Sequence, residues 1–234
     1  MKPATDSMLD ALPGLELYSS REEWLEHRGY GASDAATILG ENPWQSAYSF
    51  AAEKIGLVEP RDLSKSEIVQ SGNRLEPVIL EWFEEDSGRQ LFRLPEFSLL
   101  RHPEYPFITA TPDAIQMFGD GTLGCVDAKN TGEYMRKLWK GGNAPDYNVV
   151  QVQQQLALSG YKTGSLCVCI GGNTWKWVDI EFNECFWNLA MEEFKAFHAM
   201  IEAKRLPEVD GSESTADTIF ALHPNDNGIS VDLP

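Results

Sequence analysis

Asp113 and the triplet Asp127-Ala128-Lys129 are the residues whose types and spacing could do chemistry. Residues two apart on a strand share a face. A strand through Lys129 would therefore present the Asp127 carboxylate and the Lys129 ammonium together, with Val126 and Ala128 turned to the core. Asp113 follows Thr111-Pro112 at the end of an apolar run. Strand, acid, turn and a second strand form a hairpin-like unit that can bring Asp113 close to Asp127. Two carboxylates so placed repel unless a cation lies between them. Magnesium takes hard oxygen ligands in an octahedron and keeps several waters. The Ala128 carbonyl could add an oxygen, and Glu76 could complete the shell directly or through water. Such a set suits phosphodiester hydrolysis. A bound metal lowers the pKa of its water and neutralises charge as it develops. Lys129 would hold or deprotonate that water, or add its charge near the phosphoryl oxygens.

The acid-x-lysine pattern recurs in Glu193-Phe194-Lys195 and Glu202-Ala203-Lys204. Those copies fall on a helical pattern, where residues two apart diverge, and read as solvated charges. Asp113 taken alone also reads as a turn aspartate bonded to local backbone. Two further features could serve the same reaction. Gln151 and Gln155 share a helix face, with Gln154 near and Gln153 pointing elsewhere. That stripe is either an ordinary solvent face or a source of amides for the attacking water or the scissile phosphate. Arg28-Gly29-Tyr30-Gly31-Ala32-Ser33 joins an arginine to a glycine-bearing loop and a helix start. It reads either as a phosphate grip or as a plain capped helix.

The elements that must position these residues follow from periodicity. Ser20 opens a short helix through Trp24 and Leu25 with a capping box. Ser33 is the expected N-cap of a helix over Asp34–Leu39, and Ser46 of one that stops at Gly56. A helical pattern runs from about Ser66 to Ser87, with Pro77 expected to kink or restart it just after Glu76. From Gln90 the period becomes two, with strands around 91–94, 97–100, 107–110 and 123–129. A helix over 147–159, a hairpin over 165–170 and 174–180, and a long amphipathic helix over 182–204 follow. The order predicts an α/β (α+β) architecture with a mixed central sheet flanked by helices. Residues 1–19 read as a loose arm, 20–205 as one domain, and 206–234 as a polar, poorly ordered tail with at most a short helix from Ser214.

The chain has 234 residues, 42% of them hydrophobic, enough for one domain with a sizeable core. Its net charge of -17 argues against a general nucleic-acid binder. A DNA enzyme of this composition must gather its few cations into one groove or sheathe the DNA in an oligomer. The acidic total also fits a non-catalytic DNA mimic or scaffold. No apolar run spans a bilayer, so no membrane is expected and the cytoplasm is the expected compartment. Cys125, Cys167, Cys169 and Cys185 match no zinc spacing and read as buried, reduced thiols, with neither zinc nor an iron–sulfur cluster expected.

Read in order, Arg28…Gly31-Ala32-Ser33-Asp34-Ala35-Ala36…Gly40…Asn42-Pro43-Trp44, Gly72-Asn73-Arg74-Leu75-Glu76-Pro77, Thr109-Ala110-Thr111-Pro112-Asp113, Asp127-Ala128-Lys129 and Gln151-Val152-Gln153 resemble the YqaJ-like viral recombinase family. These are phage-type alkaline exonucleases related to lambda exonuclease, within the PD-(D/E)XK nuclease superfamily. The resemblance covers roughly residues 20 to 200. It implies a restriction-endonuclease-like core and degradation of one strand of linear double-stranded DNA from its 5′ end, in a bacterial host cell. The implied cofactor is Mg2+, with Mn2+ able to substitute. The implied partners are a single-strand-annealing protein and two further copies in a homotrimeric ring around DNA. By motif, Glu76, Asp113 and Asp127 resemble the metal-site carboxylates, Lys129 the catalytic lysine and Gln151 the active-site glutamine. Arg28 and Ser33 resemble grips on the 5′ phosphate, and Arg136, Lys137 and Lys140 are candidates for contacts with the DNA backbone. The chain carries Asp127 where close relatives of lambda exonuclease usually have Glu, and its Arg28 lies nearer Ser33. A site-directed or structure-specific endonuclease on the same fold is the alternative reaction, since fold and metal site do not separate the two.

Overall fold

The computed structural model describes every residue except Arg61, Ser64 and residues 225–234. In chain order the elements are β1 (Lys2–Pro3), α1 (Asp6–Asp10), β2 (Leu15–Leu17), α2 (Arg21–His27), α3 (Ala32–Ile38), α4 (Ala47–Lys54), α5 (Glu67–Ser87), β3 (Gln90–Arg93), β4 (Ser98–Arg101), β5 (Thr109–Ala110), β6 (Ala114–Met117) and β7 (Leu123–Thr131). A short 3-10 helix (Glu133–Trp139) follows, then α6 (Asp146–Ser159), β8 (Thr163–Ile170), β9 (Thr174–Glu181), α7 (Glu184–Glu202) and α8 (Glu213–Leu222). They divide into a larger unit, Met1–Ala36 with Asp62–Ala190, and a smaller one, Thr37–Arg61 with Met191–Pro234.

The larger unit is built on a mixed sheet of order β1-β3-β6-β7-β8-β9. Strands β7 and β8 run parallel, as do β1 and β3, and the other neighbours are antiparallel. Alternation along the strands supplies two apolar faces. Val126, Cys167 and Cys169 pack with Leu91 and Ala114 against Ile79, Leu80 and Phe83 of α5. Cys125, Leu166, Val168 and Ile170 pack on the other face against Val152 and Leu156 of α6. A sheet covered on both sides needs apolar residues at successive positions, as Leu166–Ile170 provides. Helix α6 stops at Gly160, which takes the left-handed conformation (φ 73°) that glycine adopts without strain. A second sheet, β2-β4-β5, belongs to the same unit.

In the smaller unit Ser46 caps α4 and Ser212 caps α8, each accepting a backbone N–H three residues on. Thr215 Oγ1 lies 2.8 Å from Ser46 Oγ, so the two caps meet. Phe50 stacks on Phe197 with centroids 5.8 Å apart. None of the described helices is long and apolar enough to cross a membrane.

Several boundaries differ from the sequence reading. Residues 1–19 are not a loose arm, because β1 pairs with β3 and β2 with β4. The polar segment after Leu206 is ordered through α8, whose Thr215 and Thr218 are buried; residues 225–234 of the expected tail lie outside the described residues. Helix α5 runs without interruption through Pro77. The proline costs about 3 kcal/mol, which burial of Ile79, Leu80 and Phe83 one turn later offsets. Ser33 lies inside α3 and is not its N-cap; Asp34 caps the helix by accepting the Gly31 N–H at 2.8 Å. Cys125, Cys167 and Cys169 are buried, whereas Cys185 is exposed in the first turn of α7.

Candidate active site

Asp127 lies in the middle of β7 and is fully buried. The sequence reading had it facing outward. It faces α6 instead, since the side opposite Val126 and Ala128 is also covered. Polar side chains meet both of its oxygens. Gln151 Nε2 donates to Asp127 Oδ1 at 2.6 Å and Gln155 Nε2 to the same oxygen at 2.9 Å. Lys129 Nζ lies 2.6 Å from Oδ2, an ion pair without hydrogen-bond alignment. The Lys129 ammonium also donates to Gln151 Oε1 at 2.9 Å.

Asp113 joins from the start of β6. Its backbone N–H bonds the Val126 carbonyl at 3.1 Å, and its Oδ2 accepts the Ala128 N–H at 2.8 Å. The antiparallel register of β6 and β7, with Ala114 opposite Val126, fixes that approach. Burial pushes the Asp113 carboxyl well above the ordinary carboxylate range, and the negative charge of Asp127 pushes it further. Glu76 reaches the same field from α5. Burial raises its pKa, Asp127 adds to the rise, and Lys129 and Arg93 oppose it. Burial pulls the Lys129 pKa down, but Asp127, Asp113 and Glu76 outweigh that pull and the net shift is upward. Lys129 is thus an ammonium ion paired with Asp127, in the field of Asp113 and Glu76.

Among the described residues no three His, Cys, Asp or Glu side chains close into a cluster spaced to hold a metal ion. The donor chemistry nonetheless fits a hard cation: three carboxylates, two of them, Glu76 and Asp113, pushed up by burial and by the charge of Asp127, and one lysine to balance them. Asp127 Oδ2, buried without an aligned hydrogen bond, is the oxygen with capacity to spare.

The glutamine run of α6 is not a solvent face. Gln153, Gln154 and Gln155 are buried. Gln153 donates to the Glu181 carbonyl and accepts the Asn183 N–H. Gln154 Nε2 donates to the carbonyls of Tyr30 and Thr109, at 2.9 and 2.8 Å. Gln154 thereby ties the Arg28 loop to the strand that leads to Asp113. Tyr147, one turn before Gln151 on the same helix face, escaped the sequence reading. Burial raises its pKa, the Tyr134 charge adds to the rise, and the Lys129 ammonium opposes it.

The structure does bring Arg28 to Ser33: Arg28 Nη2 donates to Ser33 Oγ at 3.0 Å and lies 3.4 Å from Asp34 Oδ2. Its guanidinium packs over the Trp24 ring. Two glycines make room for this. A Cβ on Gly29 would sit 2.2 Å from the Phe107 carbonyl, and one on Gly31 would sit 2.4 Å from Arg28 Nη2. Helix α3 is only seven residues long, so any anion grip here would rest on side chains. Arg136 is ion-paired with Glu133 and donates to Thr174 Oγ1 at 2.8 Å, whereas Lys137 and Lys140 are exposed.

Residues 23–162 match the YqaJ-like viral recombinase domain. The chain is 32% identical over 220 residues to the uncharacterized protein YqaJ of Bacillus subtilis (strain 168), covering 92% of this chain and 67% of that protein. Among solved structures it resembles an alkaline exonuclease (LHK-Exo) from Laribacter hongkongensis, with a TM-score of 0.61 and 20% identity over 78% of this chain and 93% of that one. The same enzyme in complex with dAMP gives a TM-score of 0.62 at 21% identity, with the same coverage. A phage-related exonuclease from Haemophilus somnus 129PT gives 0.55 at 14% identity over 76% and 96% of the two chains. At these identities the likeness to the solved structures is one of fold.

Proposed function

The chain belongs to the YqaJ-like viral recombinase family, and on that footing we propose that it is a metal-dependent deoxyribonuclease. In this reading it is a phage-type alkaline exonuclease. It degrades one strand of linear duplex DNA from the 5′ end and leaves a 3′ single strand for an annealing protein. A homotrimeric ring around the DNA and Mg2+ as the cation belong to the same proposal. The observation that carries it is the convergence of Asp113, Asp127, Lys129 and Gln151 in one bonded group, with Glu76 in its field. The fold shared with an alkaline exonuclease and with a phage-related exonuclease supports it.

Glu76, Asp113, Asp127 and the Ala128 carbonyl would hold the cation. The chemistry it supplies when bound is neutralisation of charge at the scissile phosphate and acidification of water. Lys129, paired with Asp127, would stabilise charge on the phosphoryl oxygens and orient the attacking water through its N–H groups. Gln151 fixes the ammonium by accepting a hydrogen bond from one of those N–H groups. Gln155 holds Asp127 from behind and leaves Oδ2 for the reacting side. Arg28, through its fork of donors, would bind the 5′ phosphate, with Ser33 setting its rotamer.

A digestion assay tests the reading. Linear 5′-phosphorylated duplex and closed circular DNA are incubated with Mg2+ or with chelator. Loss of the linear duplex alone, in Mg2+ alone, is the expected result. Cutting of circles would replace the exonuclease with an endonuclease. Absence of cutting with Mg2+ and with Mn2+ would remove the enzymatic reading and leave the acidic mimic.

A further inference from the structure

Tyr134 stands in the first turn of the 3-10 helix that follows β7, five residues after Lys129. It is 74% exposed, and among the described residues of the larger unit it is the one aromatic side chain left open to solvent. Its ring is not loose. A Cβ on Gly132 would sit 2.6 Å from Tyr134 Cε1, so the ring lies against the Gly132 main chain on one side and is open on the other. The same short segment carries the exposed Lys137 and Lys140, beside an Arg136 that is paired with Glu133, so it stays locally positive in a chain of net charge -17. Its link to the chemistry is the main chain: the 3-10 helix starts two residues after β7, the strand that carries Asp127 and Lys129.

An open aromatic face flanked by cations is what unpaired nucleic acid binds. The bases stack on the ring while the phosphates meet the positive charges. We propose that Tyr134 is a stacking platform for a nucleobase of the strand that enters the site, holding the nucleotide next to the scissile phosphate. The inference rests on the deoxyribonuclease reading and adds to it a residue that grips a base where the others grip phosphate. It fits the demand of the reaction, since a duplex end must unpair before one strand can reach the Asp127 carboxylate, which is buried beneath α6.

The test compares wild type with Tyr134→Ala, Tyr134→Phe and Tyr134→Trp on 5′-phosphorylated linear duplex. One readout is kcat and KM in Mg2+. The other is binding in chelator to duplexes carrying 2-aminopurine, or an abasic residue, at successive positions from the 5′ end. Tyr134→Ala should weaken binding and raise KM about 5- to 100-fold, the range expected for one lost base stack. Phe and Trp should restore both to within about twofold, because they keep the π-face. At one abasic position wild type and Tyr134→Ala should bind alike, since the base that stacks is gone. Wild-type binding by Tyr134→Ala, failure of Trp to rescue, or a penalty that persists at every abasic position would overturn the platform. Those results would leave the enzymatic reading standing. A wild-type protein that neither binds nor degrades DNA would overturn both.

Discussion

Lys129 and Gln151 hold each other in place: the ammonium donates to the amide oxygen at 2.9 Å, while the amide nitrogen donates to Asp127 at 2.6 Å. Because Asp127 also faces Lys129, the three side chains close a ring in which each orients the other two. A carboxamide suits this place because it carries a donor and an acceptor on one rigid plane. Glutamate offers no donor to Asp127, and alanine offers nothing to either neighbour. Gln151→Ala should therefore lower kcat about 100- to 1000-fold, the usual cost of removing one preorganised hydrogen-bonding group, and leave KM within about threefold. Steady-state kinetics on linear duplex separate the outcomes. A raised KM with normal kcat would make Gln151 a substrate-binding residue.

Removing the lysine itself should act on both activity and stability. Lys129→Met deletes the ammonium that balances Asp127, Asp113 and Glu76, and hydrolysis should fall below detection. The variant should also lose about 3 kcal/mol of stability in chelator. That is the low end for breaking a buried pair, chosen because Lys129 keeps 26% side-chain exposure. Mg2+ should recover part of the loss by supplying the missing positive charge. Urea melts with and without Mg2+ check this. An unchanged midpoint in chelator would mean that the acids are already protonated together.

The Asp113 carboxyl gives a pH test with a definite sign. Its folded-state pKa is raised, first by burial and then by Asp127. Folding therefore favours the protonated form. The stability it contributes is complete below the unfolded value of about 3.9 and is lost as pH rises through the folded value. Asp113→Asn cannot ionise and escapes that loss. In chelator the variant should melt above wild type at about pH 8, and the gap should narrow toward about pH 4. For a chain of this length each kcal/mol corresponds to about 2–4 °C. Added Mg2+ should then raise the wild-type Tm more than that of the variant. Thermal melts across pH decide it; a gap that widens toward acid would reverse the assignment.

What could be read in the sequence was whatever is local. Asp127 and Lys129 share a strand face by the two-residue period, and Gln151 and Gln155 share a helix face by the four-residue one. What could not be read depends on partners distant in sequence. The face of β7 that carries Asp127 looks solvent-facing from its period alone, because only the cover of α6, docked from beyond residue 145, makes it core. Strand β6 was missed because Gln116 interrupts its apolar pattern. That glutamine is buried and is satisfied by Arg89, Ser165 and the Cys125 carbonyl, from three other segments. Helix α5 was expected to break at Pro77 because the proline's penalty is local, whereas the burial that offsets it is tertiary. Strands β1 and β2 are too short to show a period and exist only through their pairing with β3 and β4.

The Arg28 loop allows its binding role to be separated from its structural one. On Gly31 an added methyl would first meet the far end of the Arg28 side chain, at 2.4 Å from Nη2. That end is flexible, so Gly31→Ala should fold normally and push the guanidinium off Ser33. On Gly29 the same methyl would meet the Phe107 carbonyl at 2.2 Å, main chain that cannot yield, and Gly29→Ala should destabilise the fold. If Arg28 grips the 5′ phosphate, Gly31→Ala and Arg28→Ala should share one phenotype. The ratio of rates on 5′-phosphoryl and 5′-hydroxyl duplex should fall toward unity, by about tenfold for the loss of one charge-assisted contact. Both variants should keep the wild-type Tm to within about 2 °C, because each change displaces or removes a partly exposed, flexible side chain and moves no main chain. A wild-type rate ratio in both variants would reduce the Arg28–Ser33 contact to a loop clasp and move the 5′-phosphate site elsewhere.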